Sequence, residues 1–468
     1  MTDNQGRAAD AVAAWADERF EQTIEQLSRY LRIPAISCDP ERRDDVQKLA
    51  ETICGDLSAL GFTAKVRSVD GALPLVAAEK LAAQEGRPTV LVYGHLDLQP
   101  VKGEAWSTPP HEPRRSGERL YARGAADDMG GWVSHLAALE AWLTVTGELP
   151  VNVRLVIEGE EEIGSPNLAR YMDAYPEDFE ADVMVLTDCE NPSVDIPGLT
   201  TSLRGLYEVE LTCEALESDV HSGIWGNMAP DAGNALIKLL ARLTDDDGRP
   251  VFGQTAVPSA WREAAYDVPL TSDVIKSGAH LLPDVEPLPT RGRPPAEWVW
   301  RQPAVTILST TLPRPDEHKN ALRRRATATL SVRVPPGKTH DEMRVELEEL
   351  LLRDAPGGVR VRLNERPGRA ESWLYTPKGP AFEAADRAYT KAWGRPLLQI
   401  GIGGSIPFVA LFGKRYSHLP LILNGVMDPE TGAHGPDESL HLGVFRKAIR
   451  ANVFLLDELA RLPASRAR

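Results

Sequence analysis

The residues able to do chemistry fall in a few short motifs. GHLDLQP places His95 and Asp97 two residues apart, and ARGAADDMGG sets Asp127 beside Asp128. EGEEEIGS brings Glu158, Glu160, Glu161 and Glu162 together, LTDCE carries Asp188, and GAHGPDE carries His434 with Glu438 close behind. Residues two apart in an extended segment point the same way. The Asp97 carboxylate is therefore expected to accept a hydrogen bond from the His95 ring, leaving the other ring nitrogen for a metal. Crowded glutamates repel one another unless a cation or open solvent compensates. Taken singly, the His95 and Asp127 motifs have plain alternatives as a structural histidine or a helix cap, while the glutamate cluster is harder to read as a mere solvated loop. Taken together they offer imidazoles and carboxylates without thiolates, because Cys38, Cys54, Cys189 and Cys213 form no CxxC pair. That donor set suits two hydrolytic zinc, manganese or cobalt ions.

The motifs end elements of one alternating pattern. From Ala11 to Leu31 apolar residues recur at helical spacing, and Pro34 stops the helix soon after. The runs containing Val90–Val92, VNVRLVIE from Val151 and ADVMVL from Ala181 read as strands buried on both faces. Between the first two lies MGGWVSHLAALEAWL, a helix with Trp132, Leu136, Leu139 and Leu143 on one face. Strands alternating with helices predict an α/β fold in which helices flank a sheet, with ligands gathering at the carboxyl ends of the strands.

After about residue 200 the pattern changes. TSLRGLYEVELTCEA and RRRATATLSVRVPP alternate as half-exposed strands. DAGNALIKLLARL and THDEMRVELEELLL are helical, the latter opened by a Thr339/Glu342 capping box. Stretches near 283–296 and 356–358 read as loops. From about 370 a helix, a short strand around PLILNGV and a last amphipathic helix (Phe445, Ile449, Val453, Leu456) return to the first architecture. A discontinuous catalytic domain of 1–200 and 370–468 is expected, interrupted by a smaller α+β lid over 201–369.

A net charge of −16 argues against nucleic-acid binding, which needs clustered cations. No apolar run approaches the roughly 20 residues of a membrane span, and no export signal is read at the start, so a cytoplasmic protein is expected.

With these motifs in order over residues 90–440, the chain resembles the carnosinase, aminoacylase and glutamate carboxypeptidase family of dizinc hydrolases, most closely its dipeptidase branch. HSGIWG and GGSIP add to the resemblance. It implies a mixed sheet flanked by helices, an inserted lid that also makes a homodimer, and two divalent ions, zinc foremost, with manganese or cobalt as alternatives. Asp127 matches the carboxylate that bridges both ions. His95 and Asp188 match the other ligands of one ion, Glu162 and His434 those of its partner. Glu161 matches the general base that takes a proton from the bridging water, with Asp97 behind His95. His221 matches a group that stabilises the oxyanion in the partner subunit's site. Asn320 and Arg333 resemble substrate-binding groups of the lid, and Gly404 and Ser405 those of the glycine loop. The Asp127–Asp128 peptide is expected to be cis.

Three departures stand out. Met129 replaces the usual Lys, KNALRRRA lacks the usual Ile-Pro after Asn320, and Gly401 with Ile402 replaces Arg-Glu. The last removes a cation from the end of the site that receives a free carboxylate. A small-peptide dipeptidase is the first expectation. An amidohydrolase acting on N-acyl or N-carbamoyl amino acids is the alternative, and a metal-binding scaffold without activity is a further one.

Overall fold

A computed structural model describes residues 2–404 and 407–464 of the chain. They form two compact units, one of Met1–Thr201, Thr376–Ile400 and Leu411–Arg468, the other of Ser202–Tyr375 and Gly401–Ala410. The short segment that begins at Gly401 thus groups with the second unit.

In the first unit a six-stranded sheet runs in the order Thr63–Arg67, Leu75–Lys80, Asn152–Glu158, Thr89–His95, Val183–Leu186, Leu421–Leu423. The last four are parallel and the first two antiparallel, so the sheet is mixed. Thr89–His95 lies between Asn152–Glu158 and Val183–Leu186. The chain therefore crosses over this central strand, and the ends flanking it form the kind of crevice in which ligands gather. Val90 to Tyr93 are fully covered, as an all-apolar run on a central parallel strand requires.

Helix Met129–Thr146 is apolar nearly all round, with Met129 through Leu139 buried without a break. It packs on the sheet and also against Thr2–Glu18 and Leu442–Leu459, so one apolar face would not have sufficed. The N-terminal helical pattern is two helices, Thr2–Glu18 and Phe20–Leu31, divided at Arg19. The final helix, Leu442–Leu459, buries Phe445, Ile449, Val453 and Leu456.

The second unit is an antiparallel sheet in the order Ala304–Thr310, Arg325–Val334, Gly205–Glu214, Arg360–Glu365. Helices Ala232–Leu240 and His340–Leu352 share a core with it, in which Leu236 and Leu347 join Val209, Leu211 and Leu330. Thr339 and Glu342 form the capping box that opens the second helix. The stretch read as a loop near 283–296 ends in a helix, Pro295–Arg301, because two successive prolines start it rather than break it. Among the described residues, no helix is long and apolar enough to cross a membrane.

Candidate active site

His95 closes the central strand, fully buried, with Trp132 Nε1 donating to its carbonyl at 2.9 Å. Its Nε2 lies 3.2 Å from Asp127 Oδ1. The other oxygen of Asp127 lies 3.1 Å from His434 Nε2, and that nitrogen is 3.3 Å from Glu162 Oε2. Ligand atoms of His95, Asp127 and Asp188 fall within 4.8 Å of one another, as do those of Asp127, Glu162 and His434. Two adjoining donor groups thus share Asp127. The Asp127–Asp128 peptide is cis.

Four parallel strands bring these groups together. Glu161 and Glu162 follow Asn152–Glu158, Asp188 follows Val183–Leu186, and His434 lies in the loop after Leu421–Leu423. His434 has a φ of 63°, a left-handed conformation uncommon for a residue with a side chain, and it is more than half exposed. Its loop is tied down by Asp437, whose carboxylate accepts from the Ser107 backbone at 2.8 Å and hydroxyl at 2.6 Å.

Asp97 faces the His95 ring as expected and does further work besides. His95 Nδ1 is nearer the Asp97 backbone carbonyl, at 3.1 Å, than its carboxylate, at 3.5 Å. The carboxylate also accepts the backbone N–H groups of Glu161 and Glu162. The glutamate cluster divides as well. The Glu158 carboxylate pairs with the Tyr93 and Ser165 hydroxyls, and that of Glu160 accepts from the Leu73 backbone and Asn167. Only Glu161 and Glu162 are left for the centre.

Three supporting residues take roles that the sequence did not assign them. Glu438, fully buried, accepts from the backbones of Gly124, Ala126 and Asp127 at 3.1–3.2 Å and from Arg123 at 3.0 Å, and so sets the segment that presents Asp127. Asp128 accepts from the His95 backbone at 3.2 Å and from Thr187 Oγ1 at 2.6 Å. It fits because Gly94 and Gly131 lack side chains: a Cβ there would come within 2.6 and 2.0 Å of its oxygens. Gln99 Nε2 donates to Glu162 Oε2 at 2.7 Å. Each lies inside a motif already singled out, but its partner is distant in sequence.

The electrostatics suit cations. Burial, reinforced by Asp127 and other acids, raises Glu162 and Asp188 above the ordinary carboxylate range. Burial also raises Glu161, with Asp188, Asp97 and Asp127 adding to it. Asp127 is lowered despite its burial, because His434 and His95 donate to it. Acids buried together call for positive charge, and nitrogen and oxygen donors without sulfur fit zinc, manganese or cobalt.

The remaining predicted residues lie in the second unit. His221 pairs with Ala321 across a short ladder, and Ser222 N donates to the Asn320 carbonyl at 3.0 Å, so His221 and Asn320 are neighbours. The His221 ring is exposed and accepts from Gly223 N at 3.0 Å through Nδ1. Arg333 lies on strand Arg325–Val334, and Gly404 follows strand Leu398–Ile402. Ser405 lies outside the described residues.

The model of the family described as Peptidase family M20/M25/M40 matches residues 91–458. The chain belongs to this family. This M20 peptidase is 32% identical over 424 residues to a cysteinylglycine-S-conjugate dipeptidase of Corynebacterium striatum, covering 90% of this chain and 91% of that one. It is 25% identical over 469 residues to the human Beta-Ala-His dipeptidase, covering 92% and 89%. Among solved structures, the di-peptidase Dug1p of Saccharomyces cerevisiae superposes with a TM-score of 0.77 at 21% identity, covering 97% of this chain and 99% of that one, and so has the same fold. Two departures of the M20 peptidase now have a physical setting. Met129 is fully buried at the start of its helix, where a charged lysine would need a partner. A Cβ on Gly401 would stand 2.5 Å from Ser202 Oγ and 2.8 Å from Trp300 Cβ, so no side chain fits there without repacking.

Proposed function

We propose that this M20 peptidase is a metal-dependent dipeptidase that holds two divalent ions, zinc foremost. The observation that carries the reading is Asp127 facing one histidine with each carboxylate oxygen, His95 and His434. His95 and Asp188 would hold one ion and Glu162 and His434 the other, with Asp127 available to both groups. Bound ions supply Lewis acidity, polarising the scissile carbonyl and making water at the site more acidic. Glu161 takes the proton of the attacking water and delivers it to the leaving amine nitrogen. Asp97 keeps Glu161 and Glu162 in place through their backbones. Glu161 also weighs against an inactive scaffold, since binding metal does not require a base.

His221, offered by a partner subunit, donates to the developing oxyanion. Asn320 binds the substrate carbonyl, Arg333 its carboxylate, and Gly404 and Ser405 its carboxylate end. The reading therefore includes a homodimer. Its support is the exposed apolar group Ile224, Trp225 and Met228 just after His221, and the open edge strand Ala304–Thr310 with Ile307 and Leu308 half exposed. A cytoplasmic location belongs to the same reading, supported by four cysteines that remain free thiols.

The test is hydrolysis of a dipeptide panel beside N-acyl and N-carbamoyl amino acids, before and after chelation, with bound metal counted. Cleavage of dipeptides that is lost on chelation and restored by zinc, manganese or cobalt is expected. Cleavage of the acylated or carbamoylated compounds alone would overturn the dipeptidase assignment.

A further inference from the structure

The loop beginning Gly401-Ile402 carries no charged side chain at its start, and the space beside Gly401 is filled by Ser202 and Trp300. A cation cannot stand at that position. One stands beside it. The Arg204 backbone N–H donates to the Ile402 carbonyl at 3.3 Å, and its guanidinium Nε donates to the Gly403 carbonyl at 2.8 Å. Nη1 reaches the Gln302 carbonyl at 3.3 Å. A Cβ on Gly403 would lie 2.8 Å from Nη2, so a glycine is what lets the side chain lie against the loop.

These contacts use two of the five guanidinium N–H groups, and both acceptors are neutral carbonyls. Among the described residues neither Arg204 nor Arg333 has a carboxylate partner, in a chain with 68 acids against 52 lysines and arginines. Arg333 is opposite Leu206 in the sheet ladder, and Leu206 is two residues from Arg204. Burial pushes Arg204 down to about 10, with repulsion from Arg333 adding to it, and burial also lowers Arg333. Half-buried guanidinium groups that repel one another and lack an internal anion are arranged for an anion from outside, and the planar fork of arginine suits a carboxylate.

We propose that Arg204 is a specificity-determining residue of this enzyme, forming with Arg333 a two-guanidinium site for the substrate's free carboxylate and supplying the cation that Gly401 cannot carry. The inference rests on the dipeptidase reading and extends it to Arg204, which lies outside the motifs that carry the metal-binding residues. A carboxylate held by two charged forks binds far more tightly than a neutral amide in the same place.

The experiment compares cysteinylglycine, β-alanyl-histidine and alanyl-glycine with their C-terminal amides, using the metal-loaded enzyme. In the unaltered enzyme KM for a cleaved dipeptide is expected to be at least about tenfold lower than for its amide. Arg204→Met should raise KM for the free acid by about tenfold while changing kcat less than about threefold, and leave KM for the amide nearly unchanged. Arg204→Lys, which keeps the charge and loses the fork, should recover part of the difference. Equal KM values for acid and amide in the unaltered enzyme would overturn the proposal without recourse to any variant. So would an Arg204→Met effect that is the same on both substrates or confined to kcat. If the unaltered enzyme cleaves none of the free dipeptides, the dipeptidase reading falls and this inference with it. Cleavage without acid–amide discrimination removes the inference alone.

Discussion

Asp97 holds Glu162 by its backbone: Asp97 Oδ2 accepts the Glu162 N–H at 3.0 Å, while Oδ1 accepts the N–H of Glu161 at 3.1 Å. One fully buried carboxylate therefore anchors both the proposed base and a proposed metal ligand. Asp97→Asn turns one acceptor into a donor that faces an N–H. It should lower metal affinity or turnover by about 10–100-fold, the usual effect of losing a group that orients ligands. Metal titration followed by kinetics at saturating metal separates the two losses. Unchanged values for both would remove Asp97 from this role.

Glu161 belongs to neither donor group that closes around Asp127. Glu161→Gln should therefore keep both ions while kcat falls by about a hundredfold or more, as for loss of a general base. Metal analysis beside steady-state kinetics checks this. Loss of one ion in the variant would instead make Glu161 a ligand.

The exposed edge strand predicts an assembly that mutation can undo. Ile307→Asp with Leu308→Asp places two charges on half-exposed apolar positions of Ala304–Thr310. If the proposed homodimer forms through this strand, light scattering should show the mass falling from two chains to one, with activity falling alongside as the proposed contribution of His221 across the pair is lost. A fully active monomer would dismiss the trans role of His221.

Burial of His135 in helix Met129–Thr146 pushes it from 6.5 down to about 3. The unfolded chain takes up this proton below pH 6.5 and the folded chain does not, so the unfolded state binds more protons in between. Stability is then fully present above pH 6.5 and is lost as pH falls towards about 3, by up to about 1.4 kcal/mol per pH unit for one proton. Denaturant unfolding of the metal-free protein should show a shallower acid slope for His135→Gln than for the unaltered chain. Identical slopes would mean that His135 is not the group responsible.

Much of this protein was legible in one dimension because local pattern and local chemistry coincide. The apolar runs before His95, Glu158 and Asp188 could be read as covered parallel strands, and a parallel strand delivers its next residues to one edge of the sheet. The donor types by themselves likewise restrict the candidate metals. Partners distant in sequence are another matter. That Asp97 accepts from the Glu161 and Glu162 backbones, that Glu438 sets the segment before Asp127, and that Glu158 and Glu160 serve other partners depends on which lone pairs meet which N–H groups after the strands align. The position of Arg204 is of the same kind. Sequence shows that Gly401 carries no cation; only packing of Trp300 and Ser202 into its place, and of Arg204 onto Gly403, decides where one can stand. Spacing determines which residues share an element, while contact between elements is decided by the packing that closes the core.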